Sequence, residues 1–536
     1  MVHKFSCGCH FPILQESPFK LDFKLNKIPK AFEGCPATWE VLARGLIQGV
    51  FQLNSCLGKR FTKKLKPESI EHLGGLGAVL RPGCLHVLDD KGRSVTEIYC
   101  LRKNGEDQGI SIDPSLDEIL APTYFVYIFQ ETVLKIAHKL AQFNLVELDT
   151  LRKAIGKKLA DELSDVGKIF VEKAEKVGIV SKEKATEIFE GIKKSSRYLF
   201  NKSHSIGYGK ITFITAYLKA HFPRAFYLFN IGMADDTEEM EDLVEEAKLY
   251  NISVSPPLLT DLSSKLVLDG DNIRLGLLNI KKFGESHIKK VKDGLGDIDL
   301  TKITPFTFFC QIYPKLTPTV AALLIKAGTL RYLKEDRSEL LYKLKVFDSL
   351  TDGELKWVGE NWPKYTNLED LLGAAAKTKK EGGACHGQGY VAQLHTKVQL
   401  LKNPPYSLKD SPEFIIQMER DLLGISLTYS PLDGKNVFVA NCTVREFQDG
   451  RDGNVCMAVE LKEISVTKTK KGRAIGKEMG FLTISDLTGK LDGAIIFAEA
   501  YEEFKDLLFV GNLVLCYGQR SSKGDSFIVN KVFQVK

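Results

Sequence analysis

The chain has 536 residues, 44% hydrophobic and 26% charged, with 74 Lys and Arg against 68 Asp and Glu. That length excludes a single hydrophobic core and implies roughly three to five domains. A net charge of +6 is too small to mark a nucleic-acid binder by itself, so positive charge is informative only where it clusters. No apolar run reaches membrane-crossing length, and the opening MVHKFSCGCHFPI lacks the apolar core of a secretion signal. The chain therefore reads as cytosolic, with no membrane partner. Its eleven cysteines are scattered, as expected of reduced, small core residues. Two clusters carry metal-ligating types: Cys7, Cys9 and His10 with His3 nearby, and Cys385 with His386 in a Gly-rich loop. Neither has paired CxxC spacing.

In chain order, residues 1–29 read as an irregular lead-in, with FKLDFKL (Phe19–Leu25) alternating like a half-buried strand. A helix is expected from Cys35–Pro36 to Gly45, then a short strand or turn at GVFQLNS (Gly49–Ser55). Ser69–Arg81 has helical spacing, but Gly74, Gly75 and Gly77 weaken it, so close packing must favour it. Pro122–Leu140 begins extended and turns helical near Gln130. Asp161–Lys194 reads as two helices joined near Gly178–Ser181, and an apolar helix follows Arg197–Gly209, with Pro223 as kink or restart. An acidic helix and a strand fill Asp235–Pro257. Ile273–Val291 reads as strand, helix, hairpin and helix, and Leu316–Leu330 as a helix capped by Gly328. Lys377–Gly389 reads as a linker, and PEFIIQMERDLLG as a helix ending at Gly424. From Asn436 onward short β-runs such as NVFVANCTV, GFLTISDLTG, LDGAIIF and SFIVNKVFQV predict a small barrel or sandwich.

Two stretches carry chemistry. LRKAIGKK (Leu151–Lys158) places Arg152 above Gly156 and Lys153 above Lys157 on a helix, two cationic columns with an open position between them. A polyphosphate suits that surface, although a solvated basic face has the same pattern. FNKSHS (Phe200–Ser205) sets Asn201, Lys202, Ser203, His204 and Ser205 just before an apolar helix, where hydroxyls and N–H groups can face an anion or simply cap the helix.

These stretches, with GVFQLNS, LRPG, RKNG, PTYFVYIFQETVLKIA, TAYLKAHFP, IRLGLLNIKKFGE, ERDLLGISLTYSPLD and FLTISDLTGKLDGAIIF in that family's order, resemble the C-terminal two-thirds of the alpha subunit of bacterial DNA polymerase III, family C. The resemblance implies a multidomain α+β fold: a mainly helical fingers domain over 28–260, a helix-hairpin-helix region over 261–376, a linker and clamp-proximal helix over 377–435 and an OB-fold barrel over 436–536. Residues 1–27 would then be a lead-in or palm remnant. It implies a DNA-directed polymerase function in replication, with primer–template DNA and dNTPs as partners. Arg152, Lys153 and Lys157 match the triphosphate-gripping motif, though the family more often has two arginines where this chain has Arg152 and Lys153, and lysine lacks the bidentate fork. Asn201, Lys202, Ser203, His204, Gln52, Ser55 and Arg81 carry over from neighbouring motifs, with Asn54 where the family usually has Glu. Lys281, Lys282 and Gly284 match a hairpin that grips DNA phosphates through backbone N–H groups. Lys468, Lys470, Lys471 and Arg473, followed by Phe481, form a barrel loop suited to single-stranded DNA.

The departures are equally specific. The family's PHP domain and the paired palm aspartates that hold Mg2+ have no counterpart in this sequence, so the reading places them on a second polypeptide. Asp22 is the candidate ligand for a palm-type metal, and TKVQLLKN a partial candidate for binding a sliding clamp. A split gene of this kind suits a bacterial cell or a phage-infected host. The rival is a noncatalytic DNA-binding scaffold derived from a polymerase. A complete polymerase with metal ligands Asp22, Cys7, Cys9 and His10 ranks third.

Overall fold

The glycines that weaken Ser69–Arg81 as an isolated helix are what let it pack. The computed structural model describes residues 33–157, 159–295, 298–380, 391–469, 474–522 and 526–535. The chain divides into two units, Met1–Phe226 and Tyr227–Lys536.

In the first unit, helices of two turns or more are α1 (Pro36–Ala43), α2 (Cys56–Leu65), α3 (Ile70–Val79), α4 (Val95–Lys103), α5 (Gln130–Ala141), α6 (Leu145–Lys157), α7 (Ala160–Val177), α8 (Lys182–Ser195) and α9 (Lys202–His221). The long helix α9 lies against α3, and both sides of that contact use glycine. A Cβ on Gly209 would stand 3.0 Å from the Gly74 nitrogen, and one on Gly75 would overlap the Tyr99 hydroxyl. The Ser205 hydroxyl then donates to the Gly74 carbonyl. Helices α5 to α8 form a separate bundle around Leu140, Phe143, Leu151, Ile155, Phe170 and Ile188. Gly178, left-handed at φ 76°, ends α7 where the sequence predicts the junction.

Before α5 the chain takes two consecutive left-handed residues, Tyr124 (φ 52°) and Phe125 (φ 60°). Such backbone persists only where its surroundings fix it. Arg102 Nη1 donates to the Tyr124 and Phe125 carbonyls at 3.3 and 3.1 Å, and the Tyr124 hydroxyl meets His72 Nε2 at 2.6 Å. At the opposite end of α9, Cys35 Sγ and His221 Nε2 meet at 3.1 Å. Burial pushes the Cys35 thiol up, but His221 and the polar groups of Thr38 outweigh it and bring the thiol down to about 6.

The second unit opens with α10 (Pro223–Met233, which begins in the first unit) and α11 (Thr237–Lys248). Strands β1 (Val254–Ser255), β2 (Val267–Asp269) and β3 (Asn272–Arg274) form a small sheet in the order β1-β3-β2. The predicted strand, helix, hairpin and helix over Ile273–Val291 is instead a strand, one 3-10 turn at Leu277–Asn279, a turn and α12 (Glu285–Leu295). The reason is local: the Leu277 and Leu278 N–H groups donate to the Ser263 and Ser264 carbonyls at 2.8 and 3.0 Å, which draws them away from a helix. Helices α13 (Pro318–Lys326), α14 (Arg337–Asp348), α15 (Asp352–Asn361), α16 (Leu368–Lys380), α17 (Val391–Lys402) and α18 (Pro412–Leu423) follow. Helix α16 therefore runs into the segment expected to begin a linker.

Strands β4 (Asn454–Lys468), β5 (Glu478–Asp486), β6 (Gly489–Ile496), β7 (Leu513–Arg520) and β8 (Phe527–Gln534) close a barrel in the order β4-β5-β6-β8-β7. Only the β6/β8 pair is parallel. This is the OB-like barrel expected, in a multidomain α+β chain. NVFVANCTV, predicted as a strand, is not one. Thr443 and Glu446 form a capping box that starts a short helix, Val444–Gln448, which delivers Val444 and Phe447 to the barrel core.

The motif ERDLLGISLTYSPLD is a joint within this unit. The Glu419 carboxylate is fully buried and accepts from Arg337 (2.6 Å), the Leu427 N–H (2.6 Å) and the Thr428 N–H (2.9 Å). Arg420 holds both Glu460 oxygens of β4 at 2.8 Å, and Lys462 reaches Glu241 of α11 at 2.6 Å.

Glu419→Ala leaves the Arg337 guanidinium buried without its carboxylate. It should cost about 3–5 kcal/mol in chemical denaturation, and replacing both residues by apolar ones should cost less. A pH effect follows from Glu245 on α11, whose carboxyl is pushed up to about 7 by burial and then by the Glu241 charge, against Lys462 and Lys248. The folded state thus holds a proton that the unfolded chain gives up above its ordinary value of 4.5. Its contribution is full below that value and is lost as pH rises through 7. Glu245→Gln should therefore raise Tm relative to the parent at about pH 8 and change it little at about pH 5.

Candidate functional site

The start of α9 is built by a strand-like contact. Phe129 and Phe200 form a parallel bridge, with the Gln130 N–H donating to the Phe200 carbonyl and the Phe200 N–H to the Ile128 carbonyl, both at 2.9 Å. Asn201 then caps α9: its Oδ1 accepts from the His204 N–H (2.8 Å) and the Ser203 hydroxyl (2.7 Å). The anion at this helix end is a side chain that sequence reasoning missed. Glu131 Oε1 accepts from Asn201 Nδ2 and Oε2 from the Lys202 N–H, each at 2.9 Å. A carboxylate there complements the helix dipole and its unsatisfied N–H groups. The ETV of the sequence, one residue into α5, was the available signal.

Around this corner the cations rest on aromatic faces. The Arg81 guanidinium lies 4.4 Å from the Phe200 ring centre and Lys202 Nζ 5.7 Å from that of Phe129. The His204 ring is 4.2 Å from Tyr208 and 5.4 Å from Phe200. Beside them a cavity of about 260 Å³ is lined by Gln52, Arg81, Phe200, His204, Tyr208 and Thr212, among others. Gln52 reaches it from a left-handed turn, φ 65°. So Gln52, Arg81 and His204, from three separate motifs, share one cavity. Ser55 does not line it; its hydroxyl caps α2 by accepting from the Gly58 N–H at 3.1 Å.

Helix α6 presents Arg152, Lys153, Gly156 and Lys157 to solvent and buries Leu151, Ala154 and Ile155. The columns exist, and a Cβ at Gly156 would meet nothing within 4 Å. They are not bare: Asp149 pairs with Arg152 at 2.7 Å and with Lys153 at 2.8 Å. Lys153, then Arg152, holds the Asp149 carboxyl below the usual carboxylate range. All three side chains are exposed, so the pairs are weak and a polyanion can displace them. None of the α6 cations lines the cavity. Helix α5 links the two features, since it carries Glu131 at its first turn and packs against α6.

The expected DNA-binding residues lie in the second unit. Lys281 and Lys282 are exposed, Lys282 in a left-handed conformation at φ 68°. The hairpin's N–H groups are largely engaged: Lys281 donates to the Leu422 carbonyl (2.7 Å), Phe283 to that of Ile280 (3.0 Å) and Gly284 to His287 Nδ1 (3.1 Å). On the barrel, Lys468 faces Glu478 across β4 and β5, and Phe481 is 43% exposed. Lys470, Lys471 and Arg473 lie outside the described residues, as do Lys158, Asp22, Cys7, Cys9, His10, Cys385 and His386. Among the described residues no group of three or more His, Cys, Asp or Glu is placed to hold a metal ion, and no helix is long and apolar enough to cross a membrane. Of the carboxylates at the basic features, Glu131 bonds Asn201 and the Lys202 N–H, and Asp149 pairs with Arg152 and Lys153.

Asn201→Ala should cost about 1 kcal/mol of stability through loss of the cap. Glu131→Ala should cost about 1–2 kcal/mol, and because the two side chains bond to each other, the double variant should cost less than the sum in thermal unfolding.

Residues 15–178 match the family described as the bacterial DNA polymerase III alpha subunit finger domain. The chain is also 28% identical to the DNA polymerase III subunit alpha of Aquifex aeolicus over 93% of its own length and 39% of that protein's. With the subunit alpha of Borreliella burgdorferi it shares 28% over 96% of its length and 42% of that protein's. With that of Pseudomonas aeruginosa it shares 29% over 90% and 40%. It thus spans about two fifths of the length of these curated relatives, where the motif order suggests two-thirds. With the finger domain matched toward one end, an OB-like barrel toward the other and similarity over nearly its whole length, the chain is similar to part of the bacterial DNA polymerase III alpha subunit.

Proposed function

We propose that this chain supplies the fingers and DNA-holding parts of a replicative, family C DNA polymerase. The reading rests above all on the finger-domain match, which covers the α6 basic face together with Gln52 and Arg81. In it, Arg152, Lys153 and Lys157 take the incoming dNTP's triphosphate in place of Asp149, with Lys202 and His204 beside them. Neutralising and positioning the phosphates favours in-line attack by the primer 3′-OH on the alpha phosphate. A second polypeptide with PHP and palm domains supplies the aspartates and with them the Mg2+, whose charge eases that displacement. The hairpin lysines Lys281 and Lys282 and the barrel residues Lys468 and Phe481 hold primer–template and single-stranded template, and a sliding clamp is a further partner.

The test is primer extension with Mg2+, by the purified chain alone and mixed with a palm-bearing polypeptide from the same source. Extension in the mixture only is the expected result. Arg152→Ala with Lys153→Ala should then raise the KM for dNTP roughly ten- to a hundred-fold, the scale of one or two charge-assisted hydrogen bonds, and leave DNA affinity unchanged. Retained DNA binding with no extension in any mixture would assign the chain to the noncatalytic class instead.

A further inference from the structure

Between Glu40 and Glu68 the chain carries six basic residues, Arg44, Lys59, Arg60, Lys63, Lys64 and Lys66, and no Asp or Glu. All but Arg44 fall on α2 or its C-cap. Gly58, Phe61, Thr62 and Leu65 are the buried residues of α2, a single helical stripe, so the cations share the opposite face. That face is held in place at both ends. A Cβ at Gly45, left-handed at φ 69°, would stand 2.5 Å from Lys63 Cγ and 3.5 Å from Lys59 Cγ, so the turn after α1 is a floor for those two stems. Lys103 Nζ and Asn104 Nδ2 of the RKNG motif donate to the Lys66 and Lys64 carbonyls at 2.6 and 2.7 Å and close the C-terminal end.

Countercharge is sparse. One Glu97 oxygen approaches Arg60 and Lys64 only to 3.8 and 3.7 Å, and the other is engaged in the capping box with Ser94. Among the described residues Lys59 and Lys66 have no ion pair. The face also starts beside the cavity. Gln52 and Leu53 line that cavity, and Ser55 caps α2 two residues later. A Cβ at Gly58 would overlap the Leu53 carbonyl, so the cavity loop is pressed onto the first turn of α2. We infer that the basic face of α2, through Lys59, Arg60, Lys64 and Lys66, binds the phosphodiester backbone of the DNA strand that passes the cavity. The inference rests on the reading of this chain as part of a DNA polymerase. The ten residues of α2 span about 15 Å, and one strand carries a phosphate about every 3.4 Å of duplex axis, so the face meets about four. Contacts of this kind position a strand and read no bases.

The test is anisotropy of labelled DNA with the full chain over a range of salt. Lys59→Ala/Arg60→Ala/Lys64→Ala should weaken binding roughly a hundred-fold at about 0.1 M salt and lower the slope of log K against log salt by about 2–3, whatever the base sequence. Lys182→Ala/Lys193→Ala/Lys194→Ala on α8 removes the same charge and should do neither. In the unaltered chain, bound DNA should shield Lys59, Lys64 and Lys66 from acylation and leave the α8 lysines reactive, a readout that needs no variant. Equal losses on single-stranded and duplex probes assign the face to one strand, and a loss on duplex alone assigns it to the primer–template stem. Unchanged affinity and slope in the α2 variant, or unshielded α2 lysines in the complex, would overturn the inference and leave the polymerase reading standing. An equal loss in the α8 variant would reduce the effect to net charge and overturn the site. A chain that binds no form of DNA would overturn it too, and extension in the mixture would then decide the polymerase reading alone.

Discussion

The arrangement of the first unit depends on one short contact, the bridge between Phe129 and Phe200 and the Glu131 carboxylate that continues it. Two backbone hydrogen bonds and two side-chain bonds, all of 2.9 Å, tie the start of α5 to the start of α9 across about 70 positions of sequence. Everything on either side inherits its place from that tie. On one side α5 carries α6 and its basic face; on the other α9 runs back over α3 through the Gly74–Gly209 contact. The strained pair Tyr124–Phe125 shows how firmly the approach to the bridge is held, because the Arg102 fork and the His72–Tyr124 bond must offset about 1–3 kcal/mol per left-handed residue.

The same tie changes how the start of α9 is understood. Its N–H groups and hydroxyls look in the sequence like a vacant anion site. In the fold Glu131 already takes the Lys202 N–H and Asn201, so the helix end is a closed, self-neutralised cap. Glu131 would repel a phosphate at this helix end, so the start of α9 is not itself a vacant anion site. Fixed negative charge next to a cation surface restricts where a polyanion settles, which is a form of specificity.

Much of this was legible. Amphipathic spacing and turn residues placed α5 to α8, the Gly178 junction and the barrel, since those elements are fixed by local patterns, whereas α9 begins at Lys202 and not after Gly209, because the Asn201 cap starts it early. The family motifs gathered Gln52, Arg81 and His204, which the fold brings to one cavity. What escaped were partners set by tertiary contact. Glu131 reads as an ordinary first-turn acid until Phe129 meets Phe200, and Cys35 and His221 read as unrelated until α1 and α9 align. Asp149 is different: at three and four positions before Arg152 and Lys153 on one helix, its pairing could have been read directly. The missed turn at Leu277–Asn279 and the false strand at NVFVANCTV share one cause, backbone groups claimed by a neighbouring loop or a capping box against local propensity.

A nearly balanced net charge conceals two ways of using cations. In the second unit Arg337, Arg420, Lys462 and Lys490 are turned inward onto Glu419, Glu460, Glu241 and Glu238, where they set how α11, α18 and the barrel fit together. Their field is cancelled at contact distance, and they add little to attraction for a polyanion. In the first unit Arg81 and Lys202 lie on the rings of Phe200 and Phe129. A ring face orients a cation without supplying a countercharge, so its monopole stays available to an anion while the side chain is already held in place. Composition cannot separate these uses, because an arginine on a carboxylate and an arginine on a phenyl ring count alike. The difference lies in the partner: the aromatic corner around Phe200 holds Arg81 and Lys202 in place without neutralising them through the ring contact.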